Sequence, residues 1–300
     1  MSRTARNARL RVKSLLRPLA RRVGLASPEG AWWEAPIKPW SIPAGVDAGD
    51  PAVCNICHWS GPAFVRPYHT EMADCPRCGS IARDRFLLHC FTSRMRRRTG
   101  MRVLETSPRM DRGYRELMRR WYDYTASDFD LSAHRADIRI DLQDIALADA
   151  SVDVLLTPHV LEHVPDTTRA LAEIHRVLSP GGRMYLQVPM LHGVTAVPST
   201  PEFHGDNTPV FFNFGWDLVD RLRGAGFATT VLVTDAWRDM LSGVSPAPTP
   251  NGDGFDIADL VAHARPSDLV GVADDALARV YGFLPPYHYS TFECVKSPNG

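Results

Sequence analysis

The chain has no formal net charge: 34 lysines and arginines balance 34 aspartates and glutamates over 300 residues. Without a global field, nothing draws the whole molecule to nucleic acid or to a membrane surface. It also lacks a continuous apolar run long enough for a signal-peptide core or a membrane span, so neither is expected. No segment recurs at a fixed period, which excludes solenoids and propellers. Cysteine is scarce, at six residues. Four of these fall into two tight pairs, while Cys90 and Cys294 have no sequence neighbour, so the pattern is not that of a secreted disulfide scaffold. It fits a reducing, cytoplasmic compartment.

What remains is an ordinary soluble composition: 44% hydrophobic residues, enough for a core, and 23% charged residues. The length suits one large domain with a small module. The charge is unevenly placed, with eight basic residues and no acid between Arg3 and Arg22. Val12, Leu15, Leu16, Leu19 and Val23 recur there at helical spacing, interrupted by Pro18. The segment reads either as a surface helix for lipid headgroups or RNA, or as a solvated tail. Residues 1–50 form this tail and a linker, AWWEAPIKPWSIPAG, whose Trp32, Trp33 and Trp40 suit a segment lying on a folded body.

Residues 51–82 form a cysteine module. CNIC and CPRC place Cys54, Cys57, Cys75 and Cys78 as two C-x2-C pairs separated by 17 residues. Each pair can loop back to offer two sulfurs to one tetrahedral zinc ion, and Gly79 permits the tight turn behind the second pair. Two disulfides are the alternative and need an oxidising compartment. Four thiolates leave no open position, so such a metal is structural.

From about residue 100 to 235, strand-like and helix-like patterns alternate, the mark of βα units on a mostly parallel sheet. Val152 to Leu156 is a buried-strand run. Asp166 or Thr167 can cap a helix with its apolar face on Ala170, Leu171, Ile174, Val177 and Leu178; Pro180, Gly181 and Gly182 stop it, and Arg183 to Val188 form the next strand. A Pro/Gly/Asp-rich insertion, SGVSPAPTPNGDG, falls within residues 236–285, and STFECVK closes the chain as a strand.

PHVLEHVPD, EIHRVLSPGG and QVP resemble the fourth and later motifs of the class I S-adenosylmethionine (SAM)-dependent methyltransferases, and RIDLQDIALADASVDVLL is similar to the third. A four-Cys module ending in CPRCGSIARDRFLL looks like a bacterial subgroup of that superfamily with zinc-type N-termini. The resemblance implies a Rossmann-like α/β sheet of seven strands over residues 83–300, mostly parallel with one antiparallel strand, beside a small zinc-ribbon or knuckle module. It implies SAM as cofactor. Asp141 would accept from the adenine amino group and the Leu142 N–H would face the ring. Asp128, at the end of YDYTASD, would hold the ribose hydroxyls, with Asp123 the weaker candidate. His159 would line the methionine side. The competing readings are strand-end turn residues for the two aspartates, and histidines satisfied against a helix end, the reading preferred for His163.

VLETSPRM is where the chain departs from that family. Glu105 aligns with the acid that reaches the methionine amine, but Ser107 and Arg109 stand where glycine is normal. Glycine there accepts positive φ and lets the backbone approach the ligand. Pro108 removes one N–H. SAM carries no phosphate, so the loop must supply room more than an anion cradle, and Ser107 is small; the loop reads as altered but competent, with a degenerate, non-binding copy as the alternative.

The long segment MLHGVTAVPSTPEFHGDNTPVFFNFGWDL, after the fifth strand, resembles one in methyltransferases acting on sugars and small metabolites. His204 has the chemistry to take a proton from an acceptor hydroxyl. Phe211, Phe212, Phe214 and Trp216 form either a substrate wall or core, core for at least half. The expected acceptor is a small molecule or glycan methylated on O or N. RNA methylation is the competing function, argued from the zinc-type module and the basic tail, though no Asn/Asp-Pro-Pro-aromatic signature is present. The basic N-terminus would also permit peripheral membrane contact.

Overall fold

The computed structural model describes residues 49–65, 71–204, 207–247 and 255–298. The basic tail and Trp-rich linker lie outside the described residues, and so does most of the Pro/Gly/Asp-rich stretch. The described residues all fall in one compact unit, Pro39–Gly300.

The body is one sheet of eight strands: β1 (Arg102–Thr106), β2 (Asp123–Asp128), β3 (Ile138–Arg139), β4 (Val152–Pro158), β5 (Leu178–Gln187), β6 (Phe227–Thr234), β7 (Leu269–Ala273) and β8 (Ser290–Lys296). Their spatial order is β7-β6-β8-β5-β4-β1-β2-β3. Every pairing is parallel except the two made by β8, which runs antiparallel between β5 and β6. β4 is buried from Val152 to Thr157, as a strand covered on both faces should be. The sheet has eight strands against the seven expected. The additional strand, β7, comes from the 236–285 insertion and extends the parallel ladder from β6.

Helices α1 (Ala82–Arg94), α2 (Arg112–Trp121), α3 (Leu131–His134), α4 (Thr167–Val177), α5 (Leu218–Gly224), α6 (Asp235–Leu241), α7 (Ile257–His263) and α8 (Asp275–Tyr281) accompany the strands. Asp166 caps α4, its side chain accepting from the Arg169 N–H, and the buried face is Ala170, Leu171, Ile174 and Val177. The strand after it begins at Leu178, earlier than the Pro-Gly-Gly turn suggested: Pro180, Gly181 and Gly182 are already within β5. Asp111 caps α2 in the same way, accepting from Gly113 and Tyr114.

This topology dictates where a ligand can sit. From β1 the chain steps outward to β2 and β3, then crosses back to β4 and onward to β5. The connections leaving β1 and β4 therefore diverge, opening a crevice beyond the carboxyl ends of these neighbouring strands.

Candidate cofactor crevice and cysteine cluster

The four paired cysteines converge. All four sulfurs lie within 4.8 Å of one another, every one buried. Cys54 Sγ is 3.7 Å from Cys78 Sγ and Cys57 Sγ is 3.5 Å from Cys75 Sγ, and no pair is bonded. A tetrahedron with metal–sulfur bonds of about 2.3 Å has edges of about 3.8 Å, so the cluster fits a tetrahedral thiolate site. The backbone explains the convergence. The His58 N–H donates to the Cys54 carbonyl at 2.8 Å and the Gly79 N–H to the Cys75 carbonyl at 2.9 Å, two copies of one turn. The residue after each pair is left-handed, His58 at φ 57° and Gly79 at φ 70°. The sequence advertised only the glycine; the histidine makes the same turn.

The predicted ligand residues gather at the carboxyl ends of the strands. Glu105 lies near the end of β1 and is only 4% exposed. Its Oε2 accepts from the Tyr124 hydroxyl at 2.8 Å and the Tyr114 hydroxyl at 3.0 Å. Burial pushes its carboxyl up to about 7, against the lowering effect of those hydroxyls. Ser107 follows with φ 47°, the conformation for which glycine is the usual choice. Its N–H donates to the Ser127 carbonyl at 2.7 Å, tying the loop to β2.

Asp128 ends β2 and is 7% exposed. Its Oδ1 accepts from the Asp130 N–H at 3.0 Å, and its Oδ2 lies 2.7 Å from His134 Nδ1 in α3. Asp123 is exposed at the opposite end of the same strand, away from the crevice. Asp141 lies just beyond β3, its Oδ1 accepting from the Gln143 N–H at 2.9 Å and the Gln143 amide at 3.2 Å. Oδ2 is outside both bonds, and the adjacent Leu142 N–H donates to no backbone carbonyl among the described residues.

Beyond β4 stands a polar group that sequence reasoning only partly foresaw. His159 adopts φ 52°, and its N–H donates to the Gln187 carbonyl at 2.8 Å. Its Nδ1 is 3.1 Å from Arg83 Nη1. The Glu162 side chain is 2% exposed, with Oε1 3.7 Å from His159 Nδ1 and 3.8 Å from His163 Nε2. Neither carboxyl oxygen has a hydrogen-bond partner, and burial pushes the group up to about 8. His163 Nδ1 donates to the Pro209 carbonyl at 2.7 Å, which leaves Nε2 as the acceptor in the neutral ring. The His204 ring lies edge-on to His163 at 4.7 Å. His204, His163 and Glu162 are thus adjacent, although 41 and 42 residues separate the first from the others. The signal for Glu162 and His163 was their polarity inside the otherwise apolar VLEHV. Of the aromatic cluster, Phe214 and Trp216 are core, at 1% and 3% exposure.

Residues 105–186 match the model of a family described as a methyltransferase domain. Over 49 residues the chain is 47% identical to an uncharacterized 37.1 kDa protein in transposon TN4556 of Streptomyces fradiae, covering 16% of this chain and 14% of that protein. Over 106 residues it is 34% identical to a Mycolicibacterium smegmatis protein named "Probable S-adenosylmethionine-dependent methyltransferase", covering 31% of this chain and 41% of that one. The chain therefore spans less than half the length of either relative. Among solved structures it is similar to the Burkholderia thailandensis 1,6-didemethyltoxoflavin-N1-methyltransferase, crystallised with bound 1,6-didemethyltoxoflavin and S-adenosylhomocysteine, with TM-score 0.37, 16% identity, and coverage of 66% of this chain and 72% of that one. The match to a methyltransferase domain falls on β1 to β5, the strands whose ends form the crevice, within a mostly parallel sheet that has one antiparallel strand.

Proposed function

We propose that the protein is a SAM-dependent methyltransferase that methylates an oxygen or nitrogen atom of a small molecule or glycan, with a structural zinc ion held by Cys54, Cys57, Cys75 and Cys78. The observation that supports the reading is that Ser107, Asp128, Asp141 and His159, from four separate stretches of chain, lie at or just beyond the carboxyl ends of neighbouring parallel strands. Bound SAM supplies a methyl group on a sulfonium, ready for in-line attack by a nucleophile. The chain's part is to bind and align. Asp141 Oδ2 and the Leu142 N–H offer the acceptor and donor that an adenine edge needs. Asp128 takes the ribose hydroxyls in place of His134. Glu105, anchored by two tyrosines through one oxygen, braces the first loop on the methionine side.

Alignment alone accounts for much of the rate of a methyl transfer. Where the acceptor is a hydroxyl, a proton must also leave, and His204, whose ring lies beside His163, is the base we propose for it. The reading is tested by following S-adenosylhomocysteine release while the metal-loaded chain is offered panels of small hydroxyl and amine compounds, glycans and RNA. Turnover on a small-molecule or glycan acceptor, slowed in His204→Gln for hydroxyl acceptors, is the expected result. Turnover on RNA alone would replace this acceptor class with the other.

A further inference from the structure

Helix α1 begins directly behind the second cysteine pair and is anchored along its length. Arg85 is fully buried. Its Nε donates to the Tyr281 carbonyl, Nη1 to Ser80 and Nη2 to Ala73, each at 2.8 Å, and its guanidinium lies 3.8 Å over the Phe64 ring. At the far end Arg94 pairs with the buried Glu293 of β8 at 2.9 Å. A helix held this firmly fixes whatever else it carries, and its first turn carries Arg83 and Asp84.

These two consecutive residues reach both walls of the crevice. Asp84 Oδ2 accepts from the Ile81 N–H at 2.9 Å and forms an ion pair with Arg109, in the loop that leaves β1. Arg83 Nη1 lies 2.9 Å from Glu71 Oε1 and 3.1 Å from Nδ1 of His159, in the loop that leaves β4. A guanidinium only donates, so Nδ1 must be the acceptor and the neutral ring must carry its proton on Nε2. Burial first, and then Arg83, hold the imidazole well below its usual pKa, so the 3.7 Å approach of Glu162 is not an ion pair. His159 therefore offers the crevice one donor, suited to a carboxylate or carbonyl oxygen, and is not a base. The loop after β1 has the complementary difficulty: Ser107 is left-handed and Pro108 has no N–H to donate, so the Ser107 N–H bond to the Ser127 carbonyl is joined by an anchor at the far side of the loop. The Arg109–Asp84 pair holds it from outside.

We propose that Arg83 and Asp84 are positioning residues of the cofactor crevice: Arg83 fixes His159 as an Nε2–H donor, Asp84 holds the Ser107–Arg109 loop ready for the ligand, and cofactor affinity thereby depends on the cysteine module. The affinity half of this inference rests on the SAM reading above; the tautomer half does not.

The test uses the full, metal-loaded chain. Nitrogen-15 histidine spectra, with His159 assigned by its loss in His159→Gln, are expected to show the Nε2–H tautomer in the parent and a mixture in Arg83→Met, restored in Arg83→Lys. SAM titrations are expected to show Arg83→Met and Asp84→Asn weakened roughly tenfold or more, as for loss of a hydrogen bond to a charged group. In Asp84→Asn the amide oxygen can still accept from the Ile81 N–H, so the loss reports on the negative charge that pairs with Arg109; Arg83→Lys should stay within about threefold of the parent. An unchanged tautomer in folded Arg83→Met, or parent-like SAM affinity in both variants, overturns the inference. A parent that shows the tautomer but binds no SAM overturns the SAM reading instead.

Discussion

In the cysteine module each C-x2-C pair is shaped by backbone only a few residues away: the Cys54 carbonyl takes the His58 N–H, and the Cys75 carbonyl takes the Gly79 N–H. In the crevice the loops after β1 and β4 are held less locally. Arg109 is held by Asp84 across 25 residues, and His159 is held by Arg83 across 76. One region is shaped by turns that its own residues dictate, the other by side chains arriving from a distant helix. That helix, α1, joins the two. The difference predicts which changes stay local and which propagate.

The largest expected effect breaks the module. Cys75→Ser, or chelation of the native chain, removes a thiolate from the tetrahedron or the metal itself, and structural thiolate sites contribute on the order of 10 kcal/mol to folding. The melting transition should fall steeply, bound metal should be lost, and SAM binding should disappear with it because α1 loses its footing. Retention of SAM binding by metal-free chain would show that module and crevice are independent after all.

A smaller, pH-dependent effect belongs to the crevice. Glu162 is buried without a hydrogen-bond partner, and its pKa rises from an ordinary 4.5 to about 8. The folded protein then holds a proton that the unfolded chain releases, so this group's contribution to stability declines as pH climbs from about 4.5 through about 8. Glu162→Gln has no charge to bury. Its stability should match the parent near pH 4 and exceed it increasingly towards pH 8 and above, by on the order of a few kcal/mol. Parallel melting curves across that range would mean that Glu162 is not the uncompensated acid described here.

The smallest effect sharpens the contrast between the two left-handed turns. Gly79 occupies its turn without strain, whereas Ser107 pays for φ 47°. Ser107→Gly should leave the fold intact and change stability by no more than about 1 kcal/mol, since relief of the left-handed strain opposes glycine's added chain entropy. SAM affinity should hold or improve, because the Arg109–Asp84 pair is untouched. Calorimetry that showed affinity lost would mean the serine hydroxyl contacts the ligand.

The sequence was readable in proportion to this locality. The Cys spacing, the Asp166 cap with its helical face, and the βαβ rhythm from Val152 to Gln187 all depend on neighbours within a turn or two, and they stand in the expected order, although the second strand starts at Leu178 and not at Arg183. The strand-end acids Asp128 and Asp141 were legible because sheet topology puts strand ends at the crevice. What stayed hidden depends on long-range packing. The apolar neighbours in VLEHV hint that Glu162 is buried but not that His159 and His163 flank it, and His134 gives no sign of lying on Asp128. The eighth strand was hidden for a related reason: Leu269–Ala273 is a short run after α7 and a turn at Pro266–Asp268, and it reads as strand only once β6 is there to pair with it.

Calorimetric titration of the metal-loaded, full-length chain with SAM, beside Asp141→Ala, tests the central claim most directly. Saturable micromolar binding by the parent, weakened at least about tenfold in the variant by loss of the adenine acceptor, is the predicted result. A folded parent that binds no SAM, or a variant that binds as the parent does, would contradict the assignment of this crevice as the cofactor site.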